Sequence, residues 1–261
     1  MSCLILMSDA FLVPDNLTLK IFSFLSNLLD FDKSYCQIIF MKTKTIQNRV
    51  YGGVEANLRE EERRKKLIEA GLETFGTKGY AKTNIKMICG IAGLTERYFY
   101  ESFHHKEDLL CAVYRELIDE GQREAMAALE DSKGFPLETA SRVLKMFYHR
   151  FQQDPRRAQL QLFEILGVSP KIDREYQNAM RLLADLVRLF LLKVFPRIHK
   201  EMLNKSIIPT GLAGSIIMIA HEWVLGGFIT PLDEIISQST DLFVAMGKHL
   251  EKQSGLKSKK K

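Results

Sequence analysis

The stretch Thr83–Leu110, TNIKMICGIAGLTERYFYESFHHKEDLL, decides the reading of this chain. It contains two short helical patterns joined by a Gly-containing turn, with a third helix opening at Lys106. Asn84 is placed to cap the first helix, which turns Ile85 and Ile88 inward. Gly93 supplies the turn, and Thr95 is placed to cap the second helix, whose Phe99 and Phe103 share a face at i and i+4. This is the outline of a helix-turn-helix. The rest of the second helix, Glu96, Arg97, Tyr98, Tyr100 and Ser102, points outward and offers donors and aromatic bodies suited to base edges and phosphate oxygens. Capped helix pairs with polar outer faces are also common in all-helical proteins, so the pattern alone leaves DNA reading and plain packing both open.

Upstream, REEERRKKLIEAGLETFGTKGY, Arg59–Tyr80, has a helical repeat with Ile68, Leu72 and Phe75 as the inward stripe and Ala70 off that face. Together, Arg59 to Leu110 resembles the N-terminal DNA-binding domain of the TetR/AcrR family of transcriptional regulators, a three-helix unit ahead of a helical ligand and dimer domain. The family's turn usually reads I-A-x-x-A-G-V-S. Here Ile88–Thr95 reads ICGIAGLT, with Cys89 where Ala is usual, a small apolar exchange that packing tolerates. The recognition helix departs further, with Arg97 in place of Gly and Ser102 in place of an aromatic or His. The resemblance implies that Lys86, Glu96, Arg97 and Tyr98 face bases, while Thr95, Tyr100 and Lys106 hold phosphates, with Ser102 beside them. Arg97 is the foremost base reader, because a guanidinium can bond guanine O6 and N7 together, although the same group can clamp a phosphate.

At 261 residues and 30.0 kDa, with 46% apolar residues, the chain has ample material for a packed core. The formal charge of +5 suits an anionic partner, yet Lys257, Lys259, Lys260 and Lys261 carry much of that excess in the tail. Cys3, Cys36, Cys89 and Cys111 have neither C-x-x-C spacing nor a zinc-like His pattern, which fits a reduced, cytoplasmic setting. His104 and His105 diverge on a helix and read as surface or phosphate-side residues. No nucleophile–base pair, carboxylate pair, phosphate loop or metal set points to catalysis, so neither enzyme activity, cofactor nor metal is expected.

Residues 1–40 differ in character, with 24 apolar residues broken by Pro14, Asp15, Asn16 and Lys20. They suit neither a secretory signal nor a membrane span. One expectation is that synthesis starts at Met41, making residues 1–40 an upstream stretch. The other is an extension that packs on the body or touches a membrane surface. Residues 41–58 read as a polar leader, 59–105 as the DNA-binding domain, 106–250 as the effector-binding and dimerisation domain, and 251–261 as a basic tail.

Beyond Lys106 the chain reads as all-α, with helix-sized intervals at Lys106–Glu130, Leu137–Gln152, Arg156–Leu166, Ile172–Phe195, Thr210–Phe228 and Leu232–Leu250 between Gly and Pro breaks. Met146, Phe147, Phe151, Phe163 and Met180 are candidates for lining an apolar effector cavity, with Tyr148, His149, Glu164 and Tyr176 as possible polar anchors. Core packing suits each of them equally well. The helices near 210–228 and 232–250 resemble the family's dimer-forming pair, which implies a homodimer. The whole reads as a ligand-responsive transcriptional regulator, a repressor by resemblance, that binds a near-palindromic duplex operator and is released by a small-molecule effector. Two rivals stand beside it. One is an all-helical small-molecule-binding protein or enzyme, and the other is a membrane-associated interaction protein held by residues 1–40.

Overall fold

A computed structural model describes residues 53–131 and 136–258, and the expectations for residues 1–40 and for the start at Met41 lie outside them. The chain divides near Val54, and the architecture below is that of the second unit, Glu55–Lys261. Among the described residues every regular element is helical, as the sequence pattern requires. In chain order these are α1 (Gly53–Lys78), α2 (Ile85–Ala92), α3 (Glu96–Ser102), α4 (Lys106–Glu130), α5 (Pro136–Gln153), α6 (Pro155–Ala158), a π-helical turn (Gln159–Glu164), α7 (Pro170–Val194), α8 (Lys200–Asn204), α9 (Ile208–Leu225) and α10 (Leu232–Ser258). Three departures from expectation stand out. The first helix begins at Gly53, inside the expected polar leader, α10 runs on through the basic tail to Ser258, and the interval after Ala158 widens into a π turn.

The inward face of α1 also differs. Leu67, Ala70, Thr74 and Phe75 are buried, whereas Ile68 and Leu72 are partly buried flanks. The true stripe, at i, i+3, i+7 and i+8, is rotated by roughly a quarter turn from Ile68–Leu72–Phe75 at about 100° per residue. Ala70 therefore does face the core. The misreading has a physical source, because Thr74 looks polar but donates its hydroxyl back to the Ala70 carbonyl at 2.9 Å and so is buried without a lost hydrogen bond.

Asn84 caps α2, its side chain accepting from the Met87 amide at 2.9 Å, and Gly93 ends the helix with φ 65° and ψ 32°, a left-handed conformation that favours glycine. Thr95 holds the N-cap position of α3, but its side chain makes no cap bond. Helix α3 is seven residues long, too short to persist alone, and it is held by full burial of Phe99 and near-full burial of Phe103. These rings join one continuous apolar cluster that runs from Leu67, Phe75 and Ile88 through Leu109, Val113 and Leu117 on α4 to Leu160, Ile165 and Ile172. Helix α4 is thus both the last helix of the N-terminal unit and the first of the body. A second cluster joins Tyr148, Phe151, Ala220, Trp223, Ile235 and Ile236, with α9 packed closely on α7 and α10 on α5.

The N-terminal unit meets the body where α1 crosses α6. A Cβ on Gly76 would stand 2.5 Å from Arg156 Cβ and 2.7 Å from its carbonyl oxygen, and Arg156 bonds Glu73 at 2.5 Å and Asp154 at 2.8 Å. Nothing lies within 4 Å of the corresponding point on Gly90, inside α2. Gly76→Ala should therefore lower stability by about 1–3 kcal/mol through backbone displacement, whereas Gly90→Ala should raise it by up to about 1 kcal/mol through helix propensity. Urea unfolding of the two variants checks both signs.

Candidate nucleic-acid interface and effector cavity

The outer surface of α2 and α3 carries most of the expected reading set. Lys86, Thr95, Glu96, Arg97 and Tyr100 are exposed, Arg97 to 85% of its side chain and Tyr100 to 54%. Arg97 Nε donates to Glu101 Oε1 at 3.1 Å, one turn along α3. An exposed pair at this spacing is worth only about 0.3–0.5 kcal/mol, against about 1–3 kcal/mol for a bidentate guanine contact. The guanidinium can therefore exchange Glu101 for a base at small cost. Tyr100 stands edge-on to Phe99 with ring centroids 5.5 Å apart, which steadies an otherwise solvated ring.

Tyr98, Ser102 and Lys106 sit differently. Tyr98 is half-buried beneath the Arg63 guanidinium, 4.6 Å from its ring centroid, and Ser102 is half-buried with its carbonyl accepting from Arg64 Nη1 at 3.2 Å. Arg64 also lies 4.3 Å over the Phe103 ring, where burial lowers its pKa. Arg63 and Arg64 thus fasten α3 to α1 from both sides. The sequence signal for them was the RRKK run at 63–66, which passes for an ordinary solvated face, since only the fold brings α3 beside it.

The Lys106 ammonium donates to the carbonyls of Tyr80 and Thr83, each at 2.7 Å, and stands 4.0 Å from the centroid of the Tyr80 ring. Burial pushes its pKa down. Two of its three donors are committed to the α1–α2 loop. Opposite this loop, Glu164 accepts from the Tyr80 amide at 2.8 Å, so it serves the meeting of the two parts instead of anchoring an effector. Of the neighbouring histidines, His105 occupies the N-cap of α4 in a capping box with Asp108, a structural role on the surface.

The body encloses an apolar cavity of about 170 Å³ between α4, α5, α7, α9 and α10. Met146, Phe147, Phe151 and Met180 line it, beside Tyr114, Leu117, Leu183, Val187 and Phe190. Phe163 does not. Its ring lies 4.7 Å from the His221 imidazole and packs against the second apolar cluster. Tyr176 reaches the cavity, whereas the Tyr148 hydroxyl pairs with Ser239 Oγ at 2.9 Å in the core, where burial pushes its pKa up to about 12. His149 lies in a separate polar cleft with Glu120, Glu124, Gln153, Asp154 and Arg157. The polar groups at the apolar cavity include Gln122, Glu124, Arg150, Gln161 and Ser239, which spacing did not reveal because three different helices and a turn deliver them. Arg150 is 17% exposed and bonds Glu124 at 3.0 Å and Glu120 at 3.2 Å.

Comparison with known proteins bears on this arrangement. Residues 67–113, the span from the buried face of α1 through α3 into α4, match the family described as bacterial regulatory proteins, tetR family. Over this segment the chain resembles the tetR family. It is 25% identical over 123 residues to the HTH-type transcriptional regulator RutR of Escherichia coli strain K12, a match covering 47% of this chain and 57% of that relative. The chain thus spans little more than half the length of this curated relative. Its fold is similar to that of the fatty acid degradation regulator FadR from Bacillus halodurans, with a TM-score of 0.61 and 15% identity over 69% of this chain and 96% of that one. It is likewise similar to the transcriptional regulator FadR from Bacillus subtilis solved in complex with stearoyl-CoA, with a TM-score of 0.57 and 16% identity over 69% and 97%. The fold likeness to these two regulators therefore extends through the helical body.

Lys106→Ala should lower stability by about 1–3 kcal/mol, because two carbonyls lose a charged donor, while Arg97→Ala should leave the unfolding midpoint unchanged. Chemical denaturation of both variants without DNA separates a cation built into the fold from one held out to a ligand.

Proposed function

We propose that this chain is a dimeric, effector-responsive transcriptional repressor that reads duplex DNA through α3. The observation that carries the reading is the division of α3 into two faces. Phe99 and Phe103 are locked into the core, while Arg97 and Tyr100 stand free of the body behind the Gly93 turn. An element so short and so firmly docked presents its outer side chains with little motion, which favours readout over loose electrostatic attraction. Lys86 and Thr95 flank this face and are available to phosphates.

A dimer follows from the apolar face left on α9. Gly211, Gly214, Met218 and Leu225 fall on one side of the helix, with Met218 57% and Leu225 62% exposed, and Leu242 of α10 is 38% exposed. By length and composition α9 could cross a membrane, but its opposite face is packed on α7. The small glycines would let a second copy of α9 approach closely, as in other four-helix interfaces. Two reading helices then address successive major grooves about 34 Å apart. An apolar effector in the cavity, its polar end near Arg150, would change that separation if it binds the two conformations unequally. The fold likeness to the stearoyl-CoA-bound FadR supports a long apolar chain as the effector class.

Selection of bound sequences from random duplexes by the purified full chain, at stated salt, should enrich an inverted repeat. Recovery of no motif, with only weak salt-sensitive binding, would sink the proposal. On the selected duplex, Arg97→Ala should lose about 1–3 kcal/mol of specific binding with little change on random DNA. Equal losses on both would make Arg97 a phosphate clamp. Independently, Met218→Glu should sediment as a folded monomer, and retention of a dimer would move the interface off this face of α9.

A further inference from the structure

The strongest unassigned feature is a backbone group held from outside its own domain. Glu164, the last residue of the π turn, accepts from the Tyr80 amide through Oε2 at 2.8 Å and from Gln159 Nε2 through Oε1 at 3.0 Å. Gly79 has φ +82°, and a Cβ there would stand 3.0 and 3.1 Å from the two carboxylate oxygens, so the α1–α2 loop approaches this carboxylate as closely as a glycine permits. The Tyr80 carbonyl is taken at the same time by Lys106 at 2.7 Å. Both polar backbone groups of Tyr80 are thereby fixed, one by the body and one by the start of α4. This point is three residues before the buried Thr83 and four before the Asn84 cap of α2, so its placement sets where the helix-turn-helix begins. A carboxylate hydrogen bond to a backbone amide is among the stronger kinds and has a fixed direction. The ion pair nearby, Arg156 to Glu73, joins two flexible side chains that are each 40% exposed, and it constrains angle less.

We propose that Glu164 is a positioning residue for DNA recognition, holding the reading unit at one angle on the body and so fixing the half-site separation that the dimer accepts. The inference rests on the DNA-reading function proposed above. Two reading heads on a rigid frame bind a correctly spaced repeat as one event, and freedom at the frame reduces the effective concentration of the second head at that spacing while relaxing the penalty at others. Glu164 acts through Tyr80 and touches no DNA itself.

The test compares full-length wild type, Glu164→Ala and Glu164→Gln on the selected inverted repeat and on versions with one base pair added or removed between half-sites. Glu164→Ala should bind the preferred spacing about tenfold more weakly, with its preference over the altered spacings falling towards one. Glu164→Gln keeps an oxygen for the Tyr80 amide while the Gln159 amide can turn to pair with its nitrogen, so it should retain affinity and spacing preference. Equal loss at every spacing would mark Glu164 as a merely stabilising residue and overturn the proposal, as would an unchanged ratio. Amide exchange without DNA gives a second arm. In Glu164→Ala the Tyr80 amide should exchange faster while the Gly79 amide, bonded to the Phe75 carbonyl at 3.1 Å, keeps its protection. Unchanged Tyr80 exchange also overturns the proposal. Failure of wild type to select any repeat would instead remove the DNA reading itself, and the exchange arm tells the two failures apart.

Discussion

A helix of seven residues has too few internal hydrogen bonds to offset the ordering of its backbone, so α3 exists only because Phe99 and Phe103 leave water on one side of it. Burying two such rings is worth about 3–6 kcal/mol, several times what the capping of so short a helix contributes, and here the Thr95 cap bond is absent. Much else follows from that docking. Leu67, Ala70 and Phe75 on α1 and Leu109, Leu110 and Val113 on α4 build the floor that receives the rings, and Gly71 leaves room for Leu109 and Val113 to come close. Arg63 and Arg64 close the sides through Tyr98, Phe103 and the Ser102 carbonyl. The face opposite the rings is then free for recognition.

The same apolar cluster passes without a gap from the reading unit into the body, through Leu117 on α4 to Leu160, Ile165 and Ile172. Ion pairs and a hydrogen bond reinforce this route along α4. Arg115 holds Glu175, Nε to Oε2 at 2.9 Å, Lys171 pairs with Asp108, and Ser169 with Glu107. The Arg115 guanidinium holds the Glu175 carboxyl below its usual pKa range. Further along α4, Glu120 and Glu124 face Arg150 at the edge of the apolar cavity. A ligand that displaced Arg150 from those carboxylates would act on the helix whose other end carries Lys106 and the capping box at His105. Packed cores respond to such changes by shifting between discrete arrangements rather than by yielding continuously, which gives a cavity remote from α3 a physical route to it.

The sequence made the local features legible. The Asn84 cap, the Gly93 turn and the i, i+4 ring pair are each settled by a few adjacent residues, and the structure has them as read. The inward face of α1 was misplaced because Thr74 and Ala70 give weak apolar signals although both are buried, while Ile68 and Leu72 give strong ones from the flank. Side-chain chemistry alone makes Phe163 and Glu164 cavity candidates, and it does not reveal that they sit in a π-helical segment, where the wider turn changes which side chains face inward. Lys106 was read as a phosphate ligand on resemblance, and its bonds to Tyr80 and Thr83 join positions 26 and 23 residues away, beyond any local pattern. The polar fringe of the cavity was hidden for the same reason.

The most direct test of the central claim, that α3 enters the major groove as the outward face of a docked helix, is hydroxyl-radical footprinting of the full chain on a duplex containing its selected site. The account predicts two protected segments on one face of the duplex, about one helical turn apart, both lost when Phe103→Ala loosens the helix from its floor. A single diffuse footprint, or protection that survives Phe103→Ala undiminished, would contradict it.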